Sequence, residues 1–224
     1  MLLLVAGPAL VPGGVFTALG LGTGSFLLPA ITRGTDTASV AEGAAWRRSM
    51  ILHLVGAALW ISAAFVEPLY SVRLAFAIRG AVTAAVLIGT TRLWRPPSMP
   101  GLHRWLTWVS GWMLPLGSFI VAIDPGLRRG GLHVTLIGCF ALLVLSVGAH
   151  VSLSHGGRPS LLSKRPWQLW IVAALVAAAL AARLCIDAFP ALALVWFAIA
   201  AGAFLASTIV WSTLALVPQR KPLS

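Results

Sequence analysis

Long apolar stretches alternate with short polar breaks along almost the whole chain. Runs able to cross ~30 Å of hydrocarbon at ~1.5 Å per residue cover residues 2–30, 49–66, 72–91, 104–123, 132–153, 167–186 and 190–216. The pattern predicts seven spans, an all-α polytopic transmembrane helical bundle, and a single integral membrane domain over residues 1–224. Arg47 and Arg48 precede the second run and Glu67-Pro68 follows it. The third lies between Arg73 and Arg92, and the sequence from Arg95 to Gly101, with three prolines, is a plain break. Asp124-Pro125-Gly126 stops the fourth run, and the stretch from Ser154 through Gly156-Gly157 to Pro159 stops the fifth. In the first run, Pro8, Pro12, Gly13 and Gly14 predict a bent span or a half-helix followed by a span. Met1 leads directly into Leu2-Leu3-Leu4-Val5 with no basic segment, which reads as span rather than signal peptide.

Composition narrows the class further. Hydrophobic residues make up 59% and charged residues 9%, with a mean hydropathy of +0.94, which excludes both an ordinary soluble domain and a disordered chain. Sixteen Lys and Arg against five Asp and Glu give a net charge of +11, which in a soluble chain would point to nucleic acid. Their placement points elsewhere. Arg33, Arg47, Arg48, Arg92, Arg95, Arg104, Arg158, Lys164, Arg165, Arg220 and Lys221 fall on one face, and only Arg73, Arg128, Arg129 and Arg183 on the other. By the positive-inside rule the richer face is cytoplasmic, the C-terminus is inside and the N-terminus outside, so the partner is a lipid bilayer and not a nucleic acid. Trp46, Trp94, Trp105, Trp167 and Trp170 fall at the same ends, as an interfacial belt would.

Five histidines carry most of the available chemistry, because imidazole ligates both heme iron and copper. His53 lies five residues past Arg48 and His150 eight before Arg158, within roughly 12 Å of the basic face by helix rise. An ionisable group inside a span is a functional candidate by default, so these two rank first. His103 and His155 are expected at that boundary, where hydration accounts for them, and His133 stands ~25 Å from His150 along its span. His150 and His155, five apart, chelate together only if their helix ends between them. Arg79 is the one cation well inside a span. It must snorkel, pair with Glu67, Asp124 or Asp187, or meet an anionic cofactor group such as a heme propionate. Cys139 and Cys185 lie at different depths and are not expected to form a disulfide.

Small residues supply packing devices. Gly20 and Gly24 form a GxxxG, and Ala174, Ala178 and Ala182 form a four-residue stripe. Gly20-Leu21-Gly22-Thr23-Gly24 has no preceding strand and is not a nucleotide loop. Trp105, Trp108 and Trp112 make one aromatic ridge on span four.

The stretch Gly131-Leu132-His133-Val134-Thr135-Leu136-Ile137-Gly138, continuing to Ala149-His150-Val151-Ser152-Leu153-Ser154-His155-Gly156-Gly157-Arg158-Pro159, resembles a signature from the C-terminal half of the NnrS family. Trp112-Met113-Leu114-Pro115-Leu116-Gly117 is similar to that family's preceding span, and Gly24-Ser25-Phe26-Leu27-Leu28-Pro29 to its Gly-Gly-Arg-x-x-Pro element, with Ser25 and Phe26 in place of Gly and Arg. The resemblance implies a bacterial cytoplasmic-membrane protein that holds heme b, copper or both and is linked to nitric oxide and nitrosative stress. It covers the family's last seven spans of about twelve and lacks the His-rich N-terminal half. His150 stands where the family usually has Arg. His133 and His155 match family positions and are the metal-ligand candidates that the resemblance implies; His53, His150, His155 and Arg79 are the candidates for holding a cofactor. Two readings follow: a short NnrS-like heme or copper protein, or a non-catalytic transmembrane subunit with membrane-protein partners or a second copy of itself. A transporter ranks third, since matched broken helices are absent from the pattern. Nothing in the sequence demands enzymatic turnover.

Overall fold

Hydrocarbon offers no hydrogen bonds, so a chain this apolar satisfies its backbone by winding into helices that cross the bilayer. The computed structural model describes residues 13–34, 43–156 and 158–215. Seven helices among them are long and apolar enough to span a membrane: α1 (Val15–Arg33), α2 (Ala44–Leu69), α3 (Val72–Thr91), α4 (Leu102–Ile123), α5 (Pro125–His155), α6 (Trp167–Ala188) and α7 (Pro190–Ala215). The third run is matched residue for residue, and the second extends outward because Arg47 and Arg48 join its first turns. The breaks expected at Pro8 and Pro12, and the basic pair Arg220 and Lys221, lie outside the described residues.

Successive helices pack as antiparallel neighbours except α1 and α2, which make only sparse contact, and α4 is the hub, touching α1, α3, α5 and α6. Leu21, Leu28, Val86, Leu87, Leu114 and Cys139 close the core where α1, α3, α4 and α5 meet. Trp108 and Trp112 pack against that core and stack edge-on, with centroids 6.3 Å apart. The aromatic ridge is therefore a helix contact. A second core, with Leu102, Ala149, Leu153, Leu169 and Leu214, joins α4 to α7. Both cysteines are free.

Two glycines set the closest approach. A Cβ on Gly117 of α4 would collide with the Thr135 hydroxyl and the Gly131 carbonyl, and one on Gly131 would collide with the Gly117 carbonyl. The α4 and α5 backbones thus meet where neither carries a side chain. Just beyond this contact α5 leaves α-geometry for a π-helical stretch, Val134–Ala141, before resuming as Leu142–His155. The Ala stripe of α6 does not behave as one seam. Ala182 is buried but Ala174 and Ala178 are exposed, and α6 packs through Leu169, Val172, Val176 and Ala179 instead.

Helix C-termini carry carbonyls without intrahelical partners and a partial negative charge. Here arginines from neighbouring helices and loops meet them. Arg33 donates to the Thr91 carbonyl at the end of α3, Arg104 to Ile31 near the end of α1, and Arg158 to Leu214 at the end of α7, the last at 2.7 Å. The Trp108 indole adds a bond to the Leu93 carbonyl at 2.7 Å. Arg104, counted among the cations of the basic face at the start of the fourth run, is in the first turn of α4 and is buried. Its amphipathic stem reaches inward while its head binds carbonyls. Trp46, Trp94, Trp105, Trp167 and Trp170 are all exposed at this end, as a belt requires.

Arg104→Ala strands the Ile31 carbonyl and is expected to cost about 1–3 kcal/mol. The thermal midpoint in detergent should fall by several degrees, with Arg104→Lys losing less. Gly117→Val places two methyls against the α5 backbone, an overpacking expected to cost at least about 1–3 kcal/mol, and should lower the same midpoint. Unchanged midpoints would contradict these contacts.

Candidate functional site

Three polar clusters interrupt the apolar interior. The first lies between α1, α2 and α3. His53 is partly buried on α2, and its Nδ1 is 2.8 Å from the Ser49 carbonyl one turn earlier. A carbonyl only accepts, so Nδ1 carries the proton and Nε2 keeps its lone pair. That Nε2 accepts from the Ser25 hydroxyl at 2.9 Å, and Ser25 in turn lies 3.2 Å from the Thr90 hydroxyl. Ser25, His53 and Thr90 line a cleft of about 910 Å³ whose rim includes Arg33, Arg48 and Arg92. Phe26, Ile88, Trp46 and Trp94 give it apolar walls, and none of its described lining residues is acidic. The site is chemically an imidazole lone pair at the foot of an amphipathic slot with a cationic mouth.

The second cluster joins α4 to α5. His103, expected to be hydrated at the boundary, is 0% exposed. Its Nε2 lies 3.1 Å from Nδ1 of His150 and the two rings are 5.1 Å apart. The His103 Nδ1 is buried without a partner. One turn deeper the Thr107 hydroxyl donates to Ser146 at 2.9 Å, and Ser110 continues the polar stripe. Gly101 makes this burial possible. Its φ is +132° and a Cβ there would strike both the Leu162 carbonyl and the His103 ring, so only glycine lets α4 start tucked against the α5–α6 loop. The signal available in the sequence was the spacing of His103, Thr107 and Ser110, which places three polar groups on one stripe of an apolar helix.

The third cluster is at the opposite end of α3. Arg79, 3% exposed, pairs with Glu67 at 2.8 Å, and Glu67 also receives Arg128 at 2.6 Å. Of the fates expected for Arg79, the acid pair with Glu67 is the one present. Arg79 and Thr90 are eleven residues apart on α3, about 16 Å by helix rise, so Arg79 does not belong to the His53 cleft.

The remaining candidates stand apart. His53 and His150 occupy different helix seams with different partners. His133, at the other end of α5, gives its Nδ1 to the Arg129 carbonyl at 2.7 Å, while His155 is exposed at the α5 terminus. His133 and His155 are 22 residues apart along that helix and do not meet. Among the described residues no three of His, Cys, Asp and Glu gather as a metal-binding group.

No curated protein and no solved structure matches the chain. A family model described as NnrS protein matches residues 7–217, nearly the full length, and the chain therefore belongs to the NnrS family.

Proposed function

We propose that this protein is a heme-binding member of the NnrS family in a bacterial cytoplasmic membrane, with the porphyrin in the cleft between α1, α2 and α3. The observation that carries the reading is the His53 tautomer. Fixing Nδ1–H on a backbone carbonyl is how proteins present Nε2 to a metal with a set ring orientation. Among the described residues the one hydrogen-bond partner of Nε2 is the Ser25 hydroxyl, which a rotation of its side chain removes. Phe26, Ile88 and the tryptophans suit an apolar macrocycle, and Arg48 and Arg92, exposed at the rim, suit its carboxylates. A heme held by one imidazole supplies a position at which a diatomic gas such as nitric oxide binds. The residues of the chain do the rest: Ser49 orients His53, the arginines neutralise the acidic edge, and the apolar walls exclude water. The positive-inside rule puts this cleft on the cytoplasmic side, with the C-terminus inside.

The His103–His150 pair suits copper better than heme. Two imidazoles on one ion with bonds of ~2.0–2.1 Å and a near-tetrahedral angle bring their nitrogens to ~3.3 Å, close to the 3.1 Å seen here. A heme iron between opposed imidazoles needs about 4 Å by the same bond lengths. The pair supplies an edge of a copper site within a buried seam, and imidazole is a suitable copper ligand.

A second reading, a transmembrane subunit of a larger assembly, draws support from α7, the least buried of the seven helices, and from the exposed Ala174 and Ala178 on α6. It predicts stoichiometric co-purifying chains and indifference of the complex to histidine substitution.

Purified in detergent after supply of heme, the protein should show a Soret band. His53→Ala should reduce heme retained per chain by at least about tenfold, the scale on which even supporting groups alter metal affinity, while Ser25→Ala retains it. A folded, colourless wild-type protein, or an unchanged Soret band in His53→Ala, would refute the heme reading. Copper tests the second pair separately. Loading with Cu(I) should give about one tightly held ion per chain, lost in His150→Ala and His103→Ala with the Soret band intact. Equal copper in all three proteins removes the pair from consideration.

A further inference from the structure

We infer that the pocket enclosed by Trp60, Phe76 and Arg79 binds a small monovalent inorganic anion. This site lies at the end of the bundle remote from His53 and stands independently of the heme reading.

The cavity measures about 270 Å³, room for a small ion and several waters at ~30 Å³ each. Two of its donors have no acceptor. Trp60 is 6% exposed and its indole N–H is buried without a hydrogen-bond partner. Arg79 Nε is likewise buried and unpartnered. Glu67 meets Arg79 Nη2 at 2.8 Å, and this ion pair leaves the Nε–H without an acceptor. Buried donors of this kind are rare because each costs about 1–3 kcal/mol, and two lining one cavity call for an acceptor inside it. The hydroxyl-bearing residues Thr17, Ser118 and Thr135 also line the wall.

Charge gives the valence. Arg79, Arg128 and Arg129 line the pocket, and the carboxylates paired with them are Glu67 and Asp187. Three cations against two anions leave one positive charge; Arg128 and Arg129 are exposed, so the surplus attracts an anion to the pocket without a burial penalty behind it. One monovalent anion neutralises the cluster, whereas a divalent one overshoots. The rings fit the same occupant. Arg79 lies over Trp60 at 4.9 Å and over Phe76 at 4.6 Å. These aromatic faces hold the guanidinium without supplying any oxygen that would compete for its edge.

The test is titration of the purified full-length protein with chloride and with nitrate, at constant ionic strength maintained with gluconate, read by calorimetry and by thermal midpoint. Saturable binding of one ion per chain with a rising midpoint is expected, and sulfate should bind at least about tenfold more weakly. Trp60→Phe keeps the ring over Arg79 and removes only the N–H, and should weaken binding by about tenfold. Glu67→Gln removes the competing carboxylate and should tighten it severalfold even as the fold loses stability, a sign that a purely structural ion pair does not produce. If neither chloride nor nitrate binds, or if Trp60→Phe and Glu67→Gln both bind like the wild type, the inference is wrong.

Discussion

Everything in this bundle depends on finding partners for backbone carbonyls at helix ends, where intrahelical hydrogen bonds run out and hydrocarbon offers no substitute. Three arginines perform that task at one end of the molecule by reaching across to neighbouring helices. Arg33 serves α3, Arg104 serves α1 and Arg158 serves α7. The cations that mark orientation in the sequence are thereby also the joints between helices, and the favourable sign of the helix dipole at a C-terminus adds to each. Because all three joints lie at one end, the α1, α3, α4 and α7 termini are tied there.

This arrangement organises the chemistry. At the end with the joints, the polar groups are imidazoles: His53 beside a cleft rimmed by arginines, and His103 with His150 in a closed seam. At the other end they are ion pairs, with Glu67 between Arg79 and Arg128 and Asp187 beside Arg129. The eleven residues of α3 between Arg79 and Thr90 keep the two ends electrostatically distinct. Membership of the NnrS family accords with a protein of several membrane-spanning helices.

Hydropathy was enough to place seven helices, because span length is set by the bilayer and not by tertiary packing. The tryptophan belt was readable for the same reason, and Glu67 was already among the acids within reach of Arg79. Lateral relations were not readable. His53 and His150 share a depth, yet α2 and α5 do not bring them together, since depth follows from counting residues while neighbourhood follows from how helices rotate. His103 was expected to be wet because counting residues puts it at the membrane boundary. Gly101, with a φ of +132°, instead brings the start of α4 against the α5–α6 loop, and the ring is buried. The Ala174 and Ala178 stripe was expected to pack, but the buried face of α6 is formed by its larger residues.

The π-helical stretch Val134–Ala141 left no mark in the hydropathy pattern, as its residues are as apolar as those around it. A π turn holds more residues than an α turn, so the azimuth of everything beyond it depends on that stretch keeping its extra residue. The segment before it is pinned by the Gly117–Gly131 contact, and the segment after it presents His150 to His103. Converting it to regular α-helix would swing the later half of α5 about its axis and carry His150 out of its seam. The aim of that imidazole is therefore decided two turns away, by the winding of a stretch that contains no histidine at all.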